Sequence, residues 1–153
     1  ELRLNDGQID EAVLRLIDRA IPYHILFVLV WEDRMRLAVA YKETPDAKST
    51  GVRVERYYYT DWMPVGEAIL RIEGLSMDAV YENLVRRIAG EALGDARTST
   101  LRESVAEQSR RERIKKQIAA LEAKLRREKQ PKRKFELVQQ LRALEASLGE
   151  GVG

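Results

Sequence analysis

The chain has 153 residues, no cysteine and a net charge of +2 at pH 7. The absence of cysteine excludes a disulfide framework and a thiolate metal site, and it fits a reducing, cytoplasmic setting. No apolar run approaches the roughly 20 residues that a membrane-spanning helix needs, so we expect no membrane partner. The length fits one domain, or one domain with an appendage.

The charge is divided unevenly along the chain. Residues 98–153 hold 14 Lys and Arg against 8 Glu, a net charge of +6, whereas residues 1–97 have a net charge of −4. This asymmetry indicates a mildly acidic body that carries a basic arm. The chain begins with Glu1 rather than Met and has no signal-like segment, which we interpret as a fragment or a processed chain.

The first elements alternate between extended and helical patterns. Residues 1–4 are typical of the end of a strand, and a helix is predicted from Gln8 until Pro22 stops it. The predicted apolar face of this helix has members three or four residues apart: Ile9, Val13, Leu16, Ile17 and Ala20. Residues 23–31 predict a central strand, and residues 35–42 predict a second strand that pairs with it as a hairpin.

The remaining part of the body continues this mixed pattern. Residues 52–60 predict a third strand, and residues 68–72 a short fourth strand or extended segment. Ser76 is a plausible N-cap of a second helix, which Gly90 or Gly94 ends. Small alanines in the second strand would let a helix lie close to one face of the sheet. We therefore predict an α+β body over residues 1–94, with a small antiparallel β-sheet and two helices.

A C-terminal antiparallel helical hairpin is predicted over residues 98–148. Thr100 and Glu103 form a capping box at its start, and Pro131 marks the turn. The apolar seam has coiled-coil spacing of 4, 3 and 4 in both arms: Ile114, Ile118, Leu121 and Leu125, then Leu137, Leu141, Leu144 and Leu148. Antiparallel pairing places Leu121 opposite Leu141. The alternative is a single helix with a kink at Pro131.

The tip of this hairpin is the main candidate for a binding site. Its cations lie on both sides of the turn: Lys124, Arg126, Arg127, Lys129, Lys132, Arg133 and Lys134. Such a tip suits phosphates or an acidic protein face, and the alternative is a solvated tip that prevents aggregation. We expect Phe135 to pack at the end of the seam, which leaves no aromatic for base stacking and favours contacts to the nucleic-acid backbone.

Catalytic patterns are missing from the sequence. His24 is the only histidine and is expected in the core or at a sheet edge, without the partners of a catalytic triad or a zinc site. The tyrosines at 57–59 and Trp62 could form an aromatic binding surface, but packing across strands is the favoured interpretation. No glycine-rich phosphate loop is present. We expect no cofactor, no metal and no enzymatic activity.

Five ordered blocks carry a family resemblance, over residues 20–29, 37–42, 58–62, 75–86 and 124–134. They resemble the prokaryotic domain-of-unknown-function family numbered 4391. The family usually has a further N-terminal segment that this chain lacks, and it offers no catalytic residues. Its members are often encoded near helicases and restriction–modification methyltransferases, which implies a defence-associated accessory protein.

These observations predict a non-enzymatic accessory or adaptor protein of a prokaryotic defence system. It would dock on a larger partner, such as a helicase or methyltransferase, and contact DNA through the basic tip. The alternative is a structural module whose hairpins assemble a homo-oligomer as a four-helix bundle, without nucleic acid. An enzyme would need groups supplied by a missing N-terminal segment or by a partner.

Overall fold

The computed structural model describes residues 1–21, 23–43, 53–67, 70–93 and 99–149. The chain divides into two compact units, Glu1–Ala96 and Arg97–Gly153, which we call the body and the hairpin. The body contains strands and helices, and the hairpin contains two long helices. The predicted α+β class is confirmed.

The body is built on a five-stranded sheet. Its strands are β1 (Leu2–Arg3), β2 (Leu26–Trp31), β3 (Arg34–Glu43), β4 (Arg53–Tyr59) and β5 (Met63–Pro64). The order is β1-β2-β3-β4, and β5 pairs with the start of β3. The predicted β2–β3 hairpin is confirmed, with Phe27 opposite Ala38. β1 runs parallel to β2, so the sheet is mostly but not wholly antiparallel.

The short last strand differs from the prediction. Residues 68–72 were predicted as a short strand or an extended segment. The strand alternative is wrong where the chain is described, because residues 70–72 form no strand; residues 68 and 69 lie outside the described residues. Instead β5 follows β4 closely, with Met63 opposite Met35 and Pro64 opposite Arg34. Proline donates no hydrogen bond, which restricts it to the edge of a sheet. The proline-containing β5 accordingly has only two residues and pairs with the start of β3.

Two helices accompany the sheet: α1 (Glu11–Ala20) and α2 (Met77–Ala89), the second followed by a 3-10 turn. The Asp10 carboxylate accepts a hydrogen bond from the Ala12 N–H at 2.9 Å, so α1 starts later than predicted. Ser76 Oγ accepts from the Ala79 N–H at 3.2 Å, which confirms the predicted N-cap. α2 ends before Gly90, whose φ of 55° favours glycine.

The buried side of α1 agrees only in part with the predicted one. Ile17, and Ile9 just before the helix, pack against the core as predicted, but other predicted members do not. Leu14 and Asp18 are buried, while Val13 and Leu16 are 47% and 70% exposed. Ala20, also predicted on the apolar face, is exposed. The buried side centres on Leu14 and Asp18, and hydrophobic periodicity does not reveal the polar partners that Asp18 has in the sheet.

The two helices cover opposite faces of the sheet. Leu14 of α1 packs in one cluster with Ala38 and Ala40, which confirms that the alanines let a helix lie close. Val39 alternates to the other face, where it lines a small cavity with Val80 and Tyr81 of α2. The body core thus has three layers, helix on sheet on helix.

The hairpin consists of α3 (Leu101–Arg127) and α4 (Pro131–Gly149), which contact each other. The predicted capping box is present: the Thr100 N–H donates to Glu103 at 2.8 Å, and the Glu103 N–H donates to Thr100 Oγ1 at 3.2 Å. Three residues join the helices, and Arg110 donates to the Ser147 carbonyl at 3.2 Å, as an antiparallel pair requires. All eight predicted seam residues are buried or half-buried. The single-helix alternative is wrong.

Candidate nucleic-acid interface at the hairpin tip

The turn of the hairpin is braced by Glu128. Its carboxylate accepts hydrogen bonds from the N–H groups of Lys129 and Gln130, both at 2.8 Å. The hydrogen bond from Gln130 lowers the pKa of Glu128 most, and the bond from Lys129 and the charges of Arg133 and Lys134 lower it further. This is the only carboxylate in residues 124–134, and the backbone of the turn engages it.

Pro131 starts α4 directly after this turn. Its fixed φ suits the first helical position, where its missing N–H costs nothing. The Lys134 N–H donates to the Gln130 carbonyl at 3.0 Å and closes the first turn of α4. The C-terminal end of α3 and the N-terminal end of α4 therefore both lie at the tip.

The helix dipoles distinguish two groups of tip cations. Lys124, Arg126 and Arg127 occupy the last turn of α3, where positive charge is favourable. The first turn of α4 contains no acidic residue, and residues 132–134 supply three cations there. Positive charge at a helix N-terminus is unfavourable. Helix stability therefore accounts for the first group and not for the second.

All seven predicted tip residues are exposed: Lys124, Arg126, Arg127, Lys129, Lys132, Arg133 and Lys134. Among the residues that the structure describes, no carboxylate forms a salt bridge with any of them. The structure thus brings the predicted residues together at one end of the hairpin, where an anionic ligand has access to them.

Phe135 does not pack at the end of the seam, and this expectation is wrong. Its side chain is 64% exposed, one residue beyond the three cations of the first turn of α4. The sequence contained the relevant signal, because Phe135 is out of step with the seam that begins at Leu137. An aromatic side chain is therefore available at the basic tip.

The body contains a buried polar cluster that sequence reasoning missed. Lys42 Nζ lies 2.7 Å from Asp18 Oδ1, and it also donates to the Tyr23 carbonyl at 2.9 Å. The Tyr57 hydroxyl donates to the other oxygen of Asp18. Burial, together with the bond to Asp18 and its charge, raises the pKa of Tyr57. The cluster joins α1, β3 and β4, so its evident role is structural.

His24 lies just before β2, not within it as predicted. Its ring stacks on Tyr81 at a centroid distance of 3.7 Å, and Nε2 lies 3.8 Å from Asp78 Oδ1. Desolvation lowers the pKa of His24 most, and the charge of Lys42 lowers it further, whereas Asp78 opposes this shift. The adjoining cavity of about 110 Å³ is mostly apolar. These contacts fit packing at the edge of the body.

The aromatic residues of β4 contribute to the core. Tyr57 and Tyr58 are buried, which confirms the packing interpretation. The guanidinium of Arg36 lies between the rings of Tyr59 and Trp62, at 4.7 and 4.9 Å from their centroids. Burial, followed by the charge of Glu11, raises the pKa of Tyr59 to about 12. The rings are thus engaged within the body.

Comparisons with known proteins identify the family and leave its activity open. In the described part of the chain, no helix is both long enough and apolar enough to cross a membrane. No curated protein and no solved structure matches the chain. The profile of a family described as "Domain of unknown function (DUF4391)" matches residues 1–148. Because that match covers nearly the whole chain, the protein belongs to the DUF4391 family.

Proposed function

We propose that this protein is a non-enzymatic accessory protein that binds nucleic acid through the cations of its hairpin tip. The observation that carries the proposal is the exposed basic cluster in the first turn of α4, residues 132–134. The helix dipole disfavours positive charge at this position, and the residues that the structure describes provide these cations with no salt bridge. A phosphate would add negative charge beyond the single carboxylate of Glu128, whose pKa Arg133 and Lys134 lower.

The expected contact is with the phosphate backbone. Lysine and arginine at the tip release counterions when they neutralise phosphates, so binding should weaken steeply with salt. The 27 residues of α3 make this helix about 40 Å long. The tip would therefore lie about that far from the start of α3. Contacts of this kind position a protein on nucleic acid without reading its sequence.

A pair of matched variants tests this proposal. The tip variant changes Lys132, Arg133 and Lys134 to Gln, and the control variant changes Arg113, Lys115 and Lys116 of α3 to Gln. Each removes one Arg and two Lys that are exposed in the structure. Binding to labelled DNA is measured by fluorescence anisotropy between about 50 and 200 mM salt.

We expect the tip variant to lose about one unit of salt slope for each lost phosphate contact, and the control to lose less. Equal losses in both variants would show that net charge, not the tip, governs binding. No salt-dependent binding by the unchanged protein would remove the nucleic-acid function altogether.

We also propose that the body docks on a larger partner of a prokaryotic defence system, such as a helicase or methyltransferase. Support comes from the gene neighbourhood of the family, together with the net charge of −4 over residues 1–97. The test is affinity purification of the full chain from its native host, followed by identification of what co-purifies. Recovery of the chain without any such enzyme would contradict this part of the proposal.

A structural oligomerisation module is the second candidate. The described residues of α4 include no fully buried side chain, and only Ile114 among the eight seam residues is buried. A second hairpin packed on the first would cover these half-exposed side chains as a four-helix bundle. Light scattering at high salt discriminates the two functions, because a dimer held by apolar contacts persists there and a monomer contradicts this candidate.

A further inference from the structure

Phe135 projects away from α3. The seam residues Leu137 and Leu141 define the side of α4 that meets its partner helix, and both are half-buried. An α-helix turns about 100° per residue, so Phe135 lies about 200° from Leu137 and thus on the opposite side. Its 64% exposure agrees with this position. An outward phenylalanine gains little from folding, and phenylalanine is not a strong helix former.

Phe135 belongs to an exposed stripe along the outer side of α4. Lys132, Phe135, Gln139 and Arg142 follow each other at spacings of 3, 4 and 3, which places them on one helix face. All four are exposed. The stripe is about 15 Å long. It combines an aromatic ring with a cation on each side and an amide between the ring and the distal cation.

We propose that this stripe binds single-stranded nucleic acid, with the ring of Phe135 stacked on an unpaired base. Lys132 and Arg142 contact phosphates on either side of that base, and the Gln139 amide hydrogen-bonds to a base edge or sugar. The inference rests on the proposed function of the tip and specifies its substrate class. It replaces the expectation that the tip lacks an aromatic for stacking.

The chemistry of the stripe selects single strands over duplex. In a duplex the faces of the bases are stacked on each other, and a side chain reaches mainly phosphates and base edges. In a single strand the base faces are accessible, and aromatic rings stack on them with little dependence on sequence. A cationic surface without an aromatic would serve duplex equally well. The exposed ring is therefore the feature that duplex binding leaves unexplained.

The test compares Phe135→Leu with Phe135→Tyr in the full chain. Leucine keeps an apolar side chain and favours helix, but it removes the aromatic face, whereas tyrosine retains it. Circular dichroism verifies that both variants stay helical. Binding is measured by anisotropy with labelled oligothymidylate and oligouridylate of about 15 nucleotides, and with a duplex of mixed sequence and similar length.

We expect Phe135→Leu to lose about 5- to 150-fold in affinity for the single strands and to bind duplex as before. Its salt slope should not change, because no cation is removed, and Phe135→Tyr should bind like the unchanged protein. A loss with both single-stranded probes supports stacking on either nucleic acid, and a loss with one identifies which is bound.

Equal single-strand affinity of Phe135→Leu and the unchanged protein would overturn the inference. If salt-dependent binding persisted in that case, the proposed function of the tip would still stand. If Phe135→Leu instead abolished self-association seen by light scattering and left nucleic-acid binding intact, Phe135 would be a protein contact and the inference would fail. If no probe bound at low salt, the proposed function and the inference would fail together.

Discussion

The ammonium nitrogen of Lys42 lies 2.7 Å from Oδ1 of Asp18, and both side chains are almost completely withdrawn from solvent. Tyr57 donates its hydroxyl hydrogen to the same carboxylate. Lys42 also donates to the carbonyl of Tyr23, in the segment between α1 and β2. One buried ion pair thus joins the end of α1 to two strands and to the connection that follows the helix.

Removing one charge of this pair should lower the free energy of unfolding far more than replacing both charged residues with apolar ones. We expect Asp18→Asn to lower the free energy of unfolding by about 3–5 kcal/mol, because the buried charge of Lys42 loses its counter-charge. The triple change Asp18→Leu, Lys42→Met and Tyr57→Phe should lose less, since it removes the charges and the hydroxyl together. Urea unfolding followed by circular dichroism measures both. A larger loss in the triple variant would contradict this account.

Gly7 is held against the ring of Trp31. A Cβ at Gly7 would lie 2.8 Å from the indole, and the φ of 71° is itself unfavourable for other residues. We expect Gly7→Ala to destabilise the body by about 2–4 kcal/mol, from backbone strain and overpacking combined.

Gly66→Ala is the matched control, because Gly66 also has a positive φ of 97° but open space around it. Gly66→Ala should lower the free energy of unfolding only through backbone strain. Chemical unfolding of the two variants side by side measures the difference. Equal losses of stability in the two variants would show that the close contact with Trp31 does not add to the destabilisation by Gly7→Ala.

The brace formed by Glu128 should make the tip sensitive to acid. Hydrogen bonds from Gln130 and Lys129 lower its pKa below the ordinary value of 4.5. A depressed folded-state pKa means that its stabilisation is complete above the unfolded value and is lost as pH falls through the folded value.

We therefore expect faster local opening at Lys129 and Gln130 as the pH falls below about 4.5. Glu128→Gln should show weaker amide protection at any pH, with Glu136→Gln as the control. Amide hydrogen exchange by NMR, corrected for the intrinsic effect of pH, measures protection at these two positions. Unchanged protection in Glu128→Gln would mean that the carboxylate does not brace the turn.

The seam register predicts which side chains face each other across the hairpin. Residues 121 and 141 should be close enough for a disulfide, and the chain has no cysteine of its own to interfere. We expect Leu121→Cys with Leu141→Cys to crosslink within the monomer under mild oxidation. The control pair, Leu121→Cys with Leu148→Cys, should not crosslink, because its positions are about two helical turns out of register. Mass spectrometry after proteolysis detects the disulfide. Crosslinking of the 121–148 pair and not of the 121–141 pair would contradict the predicted register.

Local chemistry made several features predictable. Ser76 and the Thr100–Glu103 box marked helix starts because a short side chain there satisfies backbone N–H groups within a few residues. Pro131 marked the turn because proline suits the first helical position and no interior one. The spacing of two residues between Phe135 and Leu137 also indicates that Phe135 points away from the seam. Its apolar character alone had favoured a packed position. β1 falls within residues 1–4, where a strand end was predicted, whereas the two residues of β5 carry almost no periodic pattern.

The caps, the β2–β3 hairpin and the two arms that fold back at Pro131 could be read from the sequence, since each depends on residues close in the chain or on a repeated spacing. The inward position of Asp18 on α1, by contrast, depends on contacts that form only in the folded chain. Asp18 faces inward because it meets Tyr57, 39 residues away, and Lys42. A hydrophobic pattern assigns carboxylates to solvent, so only the folded chain reveals a partner that makes burial favourable.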